Sequence, residues 1–342
     1  MPNVQGIYRD GILLDLGISF WSCSKMLIND DFGMDKSKIS VNYKLGKKLL
    51  IPEEIIREFR LIESRARRLV EENSFQFPIG NARFIPKKKF AKILDQLKIY
   101  QAEYNALTEK LIENYDKYRS EMIPIYRQAA EVAFLNQAPT GIQEFSIEAH
   151  ELEKTRYVEE FLNRIASYYP PAESLRSRFS LTWDVYEIAL PRMRKGDAED
   201  MVDHENKRQI ADEEYRVQTH AKIGAFIDDV VKTLRSETVE LCNRVVSNIT
   251  EGKVVKGRTL NSIRDFIDKF SELNFVGDVR IEEELAGLRK EFLDTHTPEQ
   301  ITEEMDLQDE LKRRLNTLAE AATNMTDINT VTGEYRRKIA WE

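Results

Sequence analysis

Apolar residues recur in three- and four-residue steps, the period of an amphipathic helix, over most of the chain, and alternate in two-residue steps over only a little of it. The longest helical pattern runs from Pro86 to about Gln137. There Phe90, Leu94, Leu97, Tyr104, Leu107, Leu111, Tyr115, Tyr118, Met122 and Ile125 form a coiled-coil-like seam. Roughly 50 residues would extend about 75 Å, with Pro124 kinking the rod near its far end. Upstream, Pro52 with Glu53 and Glu54 suits the first turn of a helix reaching about Asn73, with Ile55, Ile56, Phe59, Ile62, Leu69 and Val70 at helical spacing. Downstream, a helix over Ile142 to Tyr169 is stopped by Pro170 and Pro171.

Strand patterning is confined to short stretches. Residues 4 to 21 place β-branched and aromatic side chains between Gly6, Gly11 and Gly17, and a second such segment runs from Ser40 to Ile51. The clearest strand lies in 178–190, where Phe179, Leu181, Trp183 and Val185 alternate with polar neighbours. A lone strand cannot satisfy its own backbone groups, so its expected partners are the N-terminal strands, bringing residues near Ile18 beside Trp183. The stretch FQFPIGNARFIP reads as a loop turning at Gly80 and Asn81.

From Asp197 to about Glu251 the pattern is helical again. Its first half is charged almost throughout, and its second half carries Ile223, Ile227, Val230, Leu234, Leu241, Val245 and Ile249 on one stripe. Helices over 259–274, 278–294 and 298–323 complete a bundle, with Thr297 as a cap and Pro298 as the first helical residue of the last. The fold class expected is mainly α: long amphipathic helices forming an antiparallel coiled-coil-like arm, a small β platform and a C-terminal helical bundle. The expected domains are 1–192, a platform with the arm 53–170 inserted, and 193–342, the helical region.

Composition agrees with few turns and long helices, since 342 residues hold only 14 Gly and 10 Pro. The net charge of -8 gives no general attraction to nucleic acid or anionic lipid, although a local basic patch can act against it. Cys23 and Cys242 belong to no paired motif and are read as buried small apolar side chains of a reducing compartment. No basic region leads into an apolar one at the N-terminus, and no stretch approaches about 18 apolar residues, so a cytoplasmic location without membrane contact is expected.

Candidate chemistry is sparse. Asp200 and His204 at i,i+4, with Asp203 and Glu205, make the nearest approach to a metal set, but a solvated, ion-paired helix face explains them more simply. Gly252 to Thr259 resembles a phosphate-binding loop in spacing. It has Arg258 where the lysine belongs and follows a helix instead of a strand, which favours a turn between helices. No catalytic residue and no cofactor are assigned. Arg65, Arg67, Arg68, Lys87, Lys88 and Lys89 make a basic cluster that could contact phosphates, with Phe75, Phe77 and Phe84 near enough to stack on bases or, alternatively, to fasten the loop to the helices. Asp200, Asp203 and Glu205 make a charged surface suited to a protein partner.

Ile18-Ser19-Phe20-Trp21-Ser22, then Lys25, Leu27, Asp31, Phe32 and Gly33, resemble an uncharacterised bacterial and phage family, a domain of unknown function. The likeness continues through Leu45 to Pro52, Arg65 to Arg68 and the loop from Gly80 to Pro86, and covers roughly residues 12 to 190. Where that family usually has Gly-Arg after Trp-Ser, this chain has Cys23 and Ser24. Its members are typically encoded beside a MoxR-type AAA+ ATPase and a von Willebrand A-type protein, in phages or mobile elements. The resemblance therefore implies a non-enzymatic adaptor or scaffold whose partner is one of those proteins, and it carries over no catalytic residues. A nucleic-acid-associated protein using the basic cluster is the alternative, and homo-oligomerisation stays open.

Overall fold

The computed structural model describes the backbone of residues 11–33, 46–78, 80–137, 147–187, 202–252, 255 and 257–324, with side chains for these except 137, 147 and 202–220. It is mainly helical with a small antiparallel sheet, as the periodicity predicts.

Packing divides the chain into two compact units. The first comprises Met1–Asp15, Leu69–Leu94 and Asp184–Glu342, and the second Leu16–Arg68 and Asp95–Trp183. The sheet orders its strands β4-β5-β1-β6, with β1 at Gly11–Ser19, β4 at Phe75–Gln76, β5 at Arg83–Pro86 and β6 at Ser180–Tyr186. Thus the strand around Trp183 lies beside the N-terminal strand, as expected, and the Ser19 and Ser180 hydroxyls meet at 2.8 Å. The segment read as a loop is instead a hairpin: β4 and β5 flank Gly80 (φ 65°), and β5 pairs with β1 from Gly11↔Pro86 to Leu14↔Arg83. Gly11 is required here, because a Cβ would lie 1.9 Å from the Phe84 ring.

In the first unit Phe84, fully buried, packs its ring against Phe77, Phe226 and Phe275. They join the apolar stripe of α5 (Val202–Thr250) and the inward faces of α6 (Gly257–Leu273), α7 (Val279–Leu288), α8 (Pro298–Glu303) and α9 (Met305–Thr323) in one core. The expected stripe residues Ile223, Ile227, Val230, Leu234, Leu241, Val245 and Ile249 are all buried. Thr297 caps α8 with Gln300 reciprocating and Pro298 in the first turn, as its sequence predicts. The expected helix over 298–323 is interrupted at Glu304, whose backbone is extended. Inside this core Arg235 holds Asp278 through two bonds of 2.6 and 3.1 Å and donates to the Asn324 carbonyl at 3.0 Å.

The second unit is built on α1 (Glu53–Glu72), α2 (Lys87–Glu113), α3 (Tyr115–Gln137) and α4 (Ile147–Ala166), taking the residues of each that fall within its ranges. Between α2 and α3 only Asn114 departs from the helix, and its side-chain amide donates to the Lys110 carbonyl at 2.8 Å. The predicted seam is buried from Leu97 through Tyr104, Leu107, Leu111, Tyr115 and Tyr118 to Met122. Beyond Met122 the buried face passes to Tyr126, Ala130 and Ala133, leaving Ile125 57% exposed. α4 packs antiparallel to α3, since Phe134 meets His150 and Tyr157 while Glu131 faces Lys154.

Candidate functional site

The second unit holds a cleft of about 360 Å³ whose floor carries Leu27, Asp31, Phe32 and Lys48. Strands β2 (Ser24–Met26) and β3 (Lys47–Leu49) pair antiparallel, aligning Lys25 with Lys48. A 3₁₀ turn, Asn29–Phe32, leaves β2 and closes at Gly33 in the left-handed region (φ 64°), where glycine costs least. At the third position of that turn Asp31 folds back to accept the Ile28 backbone N–H at 2.9 Å.

The carboxylate of Asp31 is buried and takes both hydrogen bonds of the Lys48 ammonium, at 2.7 and 2.8 Å. Arg164 of α4 approaches it with Nη2 at 3.3 Å, while Nε is buried and makes no hydrogen bond. The Arg164 guanidinium lies over the Phe161 ring at 4.8 Å, and Lys48 and Lys25 both lie over Tyr168, at 4.8 and 5.6 Å. Asp31, Lys48 and Phe161 line the cleft with Leu27, Phe32, Ile125, Ala129 and Val132.

Tyrosine hydroxyls fasten the floor to the helices. Tyr126 donates to the Leu49 carbonyl, and Tyr169 donates to the Leu50 carbonyl at 2.5 Å. Burial pushes the Tyr169 hydroxyl up to about 12 and raises Tyr126 further still. Cys23, with φ 50°, begins this floor, and its carbonyl accepts from the Leu50 N–H at 2.8 Å. Burial pushes its thiol up to about 12, so no thiolate is present near neutral pH.

The other sequence-selected residues fall elsewhere. Asp200 lies outside the described residues, and Asp203 and Glu205 are described only as backbone of α5, as is His204. Arg65 pairs with Glu103 at 2.6 Å and stacks on Tyr100, and Arg67 pairs with Glu63 at 2.9 Å. These two and the exposed Arg68 belong to the second unit, whereas Lys87, Lys88 and Lys89 belong to the first. Lys87 and Lys88 are exposed, and Lys89 pairs with Glu272 at 2.5 Å. Phe75, Phe77 and Phe84 are buried in the core and offer no face to a base, which settles their alternatives in favour of packing. Gly252 (φ 71°) ends α5, and the stretch after it leads into α6, so the phosphate-loop spacing has no strand before it. Among the described residues no group of three or more His, Cys, Asp or Glu is placed to hold a metal, and no helix is long and apolar enough to cross a membrane.

A family model described as a protein of unknown function (DUF3150) matches residues 10–310. The chain belongs to that family. The match extends past the expected residues 12 to 190 and takes in most of the C-terminal helices. No curated protein and no solved structure matches the chain. Of the residues that carried the resemblance, Leu27, Asp31, Phe32 and Lys48 line the cleft and Lys25 and Gly33 adjoin them, while Arg65 to Arg68 and the Gly80 to Pro86 loop lie outside it. Arg164, Tyr126 and Phe161 went unnoticed as site residues, because each looks like an ordinary position of an amphipathic helix until α4 is set against Asp31.

Proposed function

We propose that this chain is a non-enzymatic adaptor or scaffold that presents the Asp31 cleft to a protein partner. The observation that carries the reading is an open apolar cleft whose wall helix exposes Ile125 and Val132, beside the buried Asp31–Lys48 ion pair. The groups beside it that could act as nucleophiles, Cys23 and Tyr169, are held protonated by burial, which favours binding over catalysis. The partner proposed is a MoxR-type AAA+ ATPase, alone or with a von Willebrand A-type protein, in a phage or mobile element. That choice follows the genetic neighbourhood implied by the Trp21 to Gly33 resemblance.

The test is calorimetric titration of the full chain with the purified ATPase encoded beside its gene, alongside ATP hydrolysis. Binding at micromolar affinity or tighter, with altered hydrolysis, is the expected result. The absence of both binding heat and altered hydrolysis would remove this partner. The nucleic-acid alternative loses its stacking groups to the core and keeps only the lysines and arginines.

A further inference from the structure

We propose that the Asp31 cleft binds a partner segment in which a bulky apolar side chain lies close to an acidic one. The apolar group fills the cleft and the carboxylate pairs with Arg164, which adjoins the lining residues Phe161 and Asp31. The inference rests on the interaction reading above and specifies the chemistry of what is bound.

The apolar half follows from the lining. Leu27, Phe32, Ala129 and Phe161 face the space between Ile125 and Val132, which are 57% and 53% exposed. About 360 Å³ is at the small end of ligand pockets, typically about 300–1,000 Å³, and suits one or two side chains of an inserted segment.

The acidic half follows from the charge beside the cleft. Lys25 and Lys48 lie over Tyr168, and Lys48 and Arg164 meet Asp31, so among these described side chains three cations face the carboxylates Asp30 and Asp31. Lys48 is already held by Asp31 through two short bonds. Arg164 is not: its one bond to Asp31 is long for a charge-assisted pair, and its Nε is buried without a partner. Nε itself is too deep to be reached, but the Arg164 side chain is 31% exposed, so an incoming carboxylate can meet the guanidinium on its exposed part. A basic segment would meet the excess of cations, and a purely apolar one would leave the guanidinium as it is. Because Phe161 lines the cleft and carries Arg164 over its ring, a carboxylate one or two residues from the inserted side chain falls within reach.

The test is selection of a random dodecapeptide display library on the full-length protein, followed by fluorescence polarisation of the enriched peptides. Enrichment of an apolar residue with a nearby Asp or Glu is expected. Affinity should fall about tenfold or more for Val132→Glu, for Arg164→Gln, and for the peptide with its acid replaced by the amide. Leu152→Glu, which alters a 73% exposed apolar residue of α4 that does not line the cleft, should bind as wild type. Thermal unfolding of each variant reports its folding, and because Val132 is exposed its substitution should leave the melting temperature close to wild type. No enrichment, enrichment without acidic residues, or peptides that bind the Val132→Glu protein equally would each overturn the proposal. ATPase binding that survives Val132→Glu would overturn it too while leaving the adaptor reading in place. Enriched acidic peptides without any ATPase binding would uphold the cleft and remove only that partner.

Discussion

Asp31, in a 3₁₀ helix one turn long, and Lys48 of β3 bury opposite charges against each other. Removing one member leaves the other charge buried, so Asp31→Ala should destabilise the protein by about 3–5 kcal/mol in urea unfolding. The double replacement Asp31→Leu with Lys48→Met should lie closer to wild type, and equal losses from single and double variants would mean that the pair is not coupled. A second consequence concerns alkaline pH. Burial raises the Tyr115 and Tyr169 hydroxyls to about 12 in the folded protein, against 10.0 ordinarily. Between those values the unfolded chain has lost protons that the folded one keeps, so stability is full below pH 10 and falls as pH rises toward 12. Thermal unfolding across pH 8–12 should show this decline, and replacing Tyr169 with Phe should flatten it. Cys23 and Cys242, whose thiols burial likewise raises to about 12, should resist thiol reagents at pH 8 until the protein is denatured. Residue by residue, burial was legible where side chains are plainly apolar and failed where hydroxyls intervene. Periodicity selected Ile125, but Tyr126 is buried in its place, because its hydroxyl finds the Leu49 carbonyl and its ring carries more area into the core.

At the scale of elements, the long seam was readable because one face of α2 and α3 repeats its apolar positions for more than six turns. Leu107→Ala and Leu111→Ala should each cost about 2–5 kcal/mol, with the larger loss at Leu111, which is 1% exposed against 8% at Leu107. Glu113→Ala, on the exposed side, should change little, and similar losses at all three positions would contradict the burial. The capping box at Thr297 was equally legible, since its chemistry is local. The β4–β5 hairpin was not: two strands of two and four residues show no alternation, and what makes them strands is pairing with β1 far away in sequence. The cleft was unreadable for the same reason, being assembled from Asp31, Lys48, Tyr126 and Phe161 on four separate segments. The charged stretch of sequence from Asp197 onward supplies the remaining prediction at this scale. Charge reversal of Asp200, Asp203 and Glu205 to Lys should weaken a partner held there, more so at low salt, while leaving the melting temperature nearly unchanged. Unchanged affinity at both salt concentrations would remove that segment from the interface.

For the molecule as a whole, packing gathers residues 1–15, 69–94 and 184–342 into one compact unit. Leu13, Phe75, Phe77 and Phe84 complete the core that α5 to α9 form. A fragment of residues 193–342 should therefore unfold at lower denaturant concentration than the full chain, with weaker near-ultraviolet dichroism, and a fragment as stable as the whole would show that those four side chains are dispensable. The same arrangement bears on synthesis. Phe84 leaves the ribosome 191 residues ahead of Phe275, the ring it meets at 4.6 Å. At about 5–20 residues per second that interval is roughly 10–40 s, during which three phenylalanines and a strand edge await their partners. Nascent chains of this protein should accordingly recruit holdase chaperones at residues 75–84 until the last helices emerge.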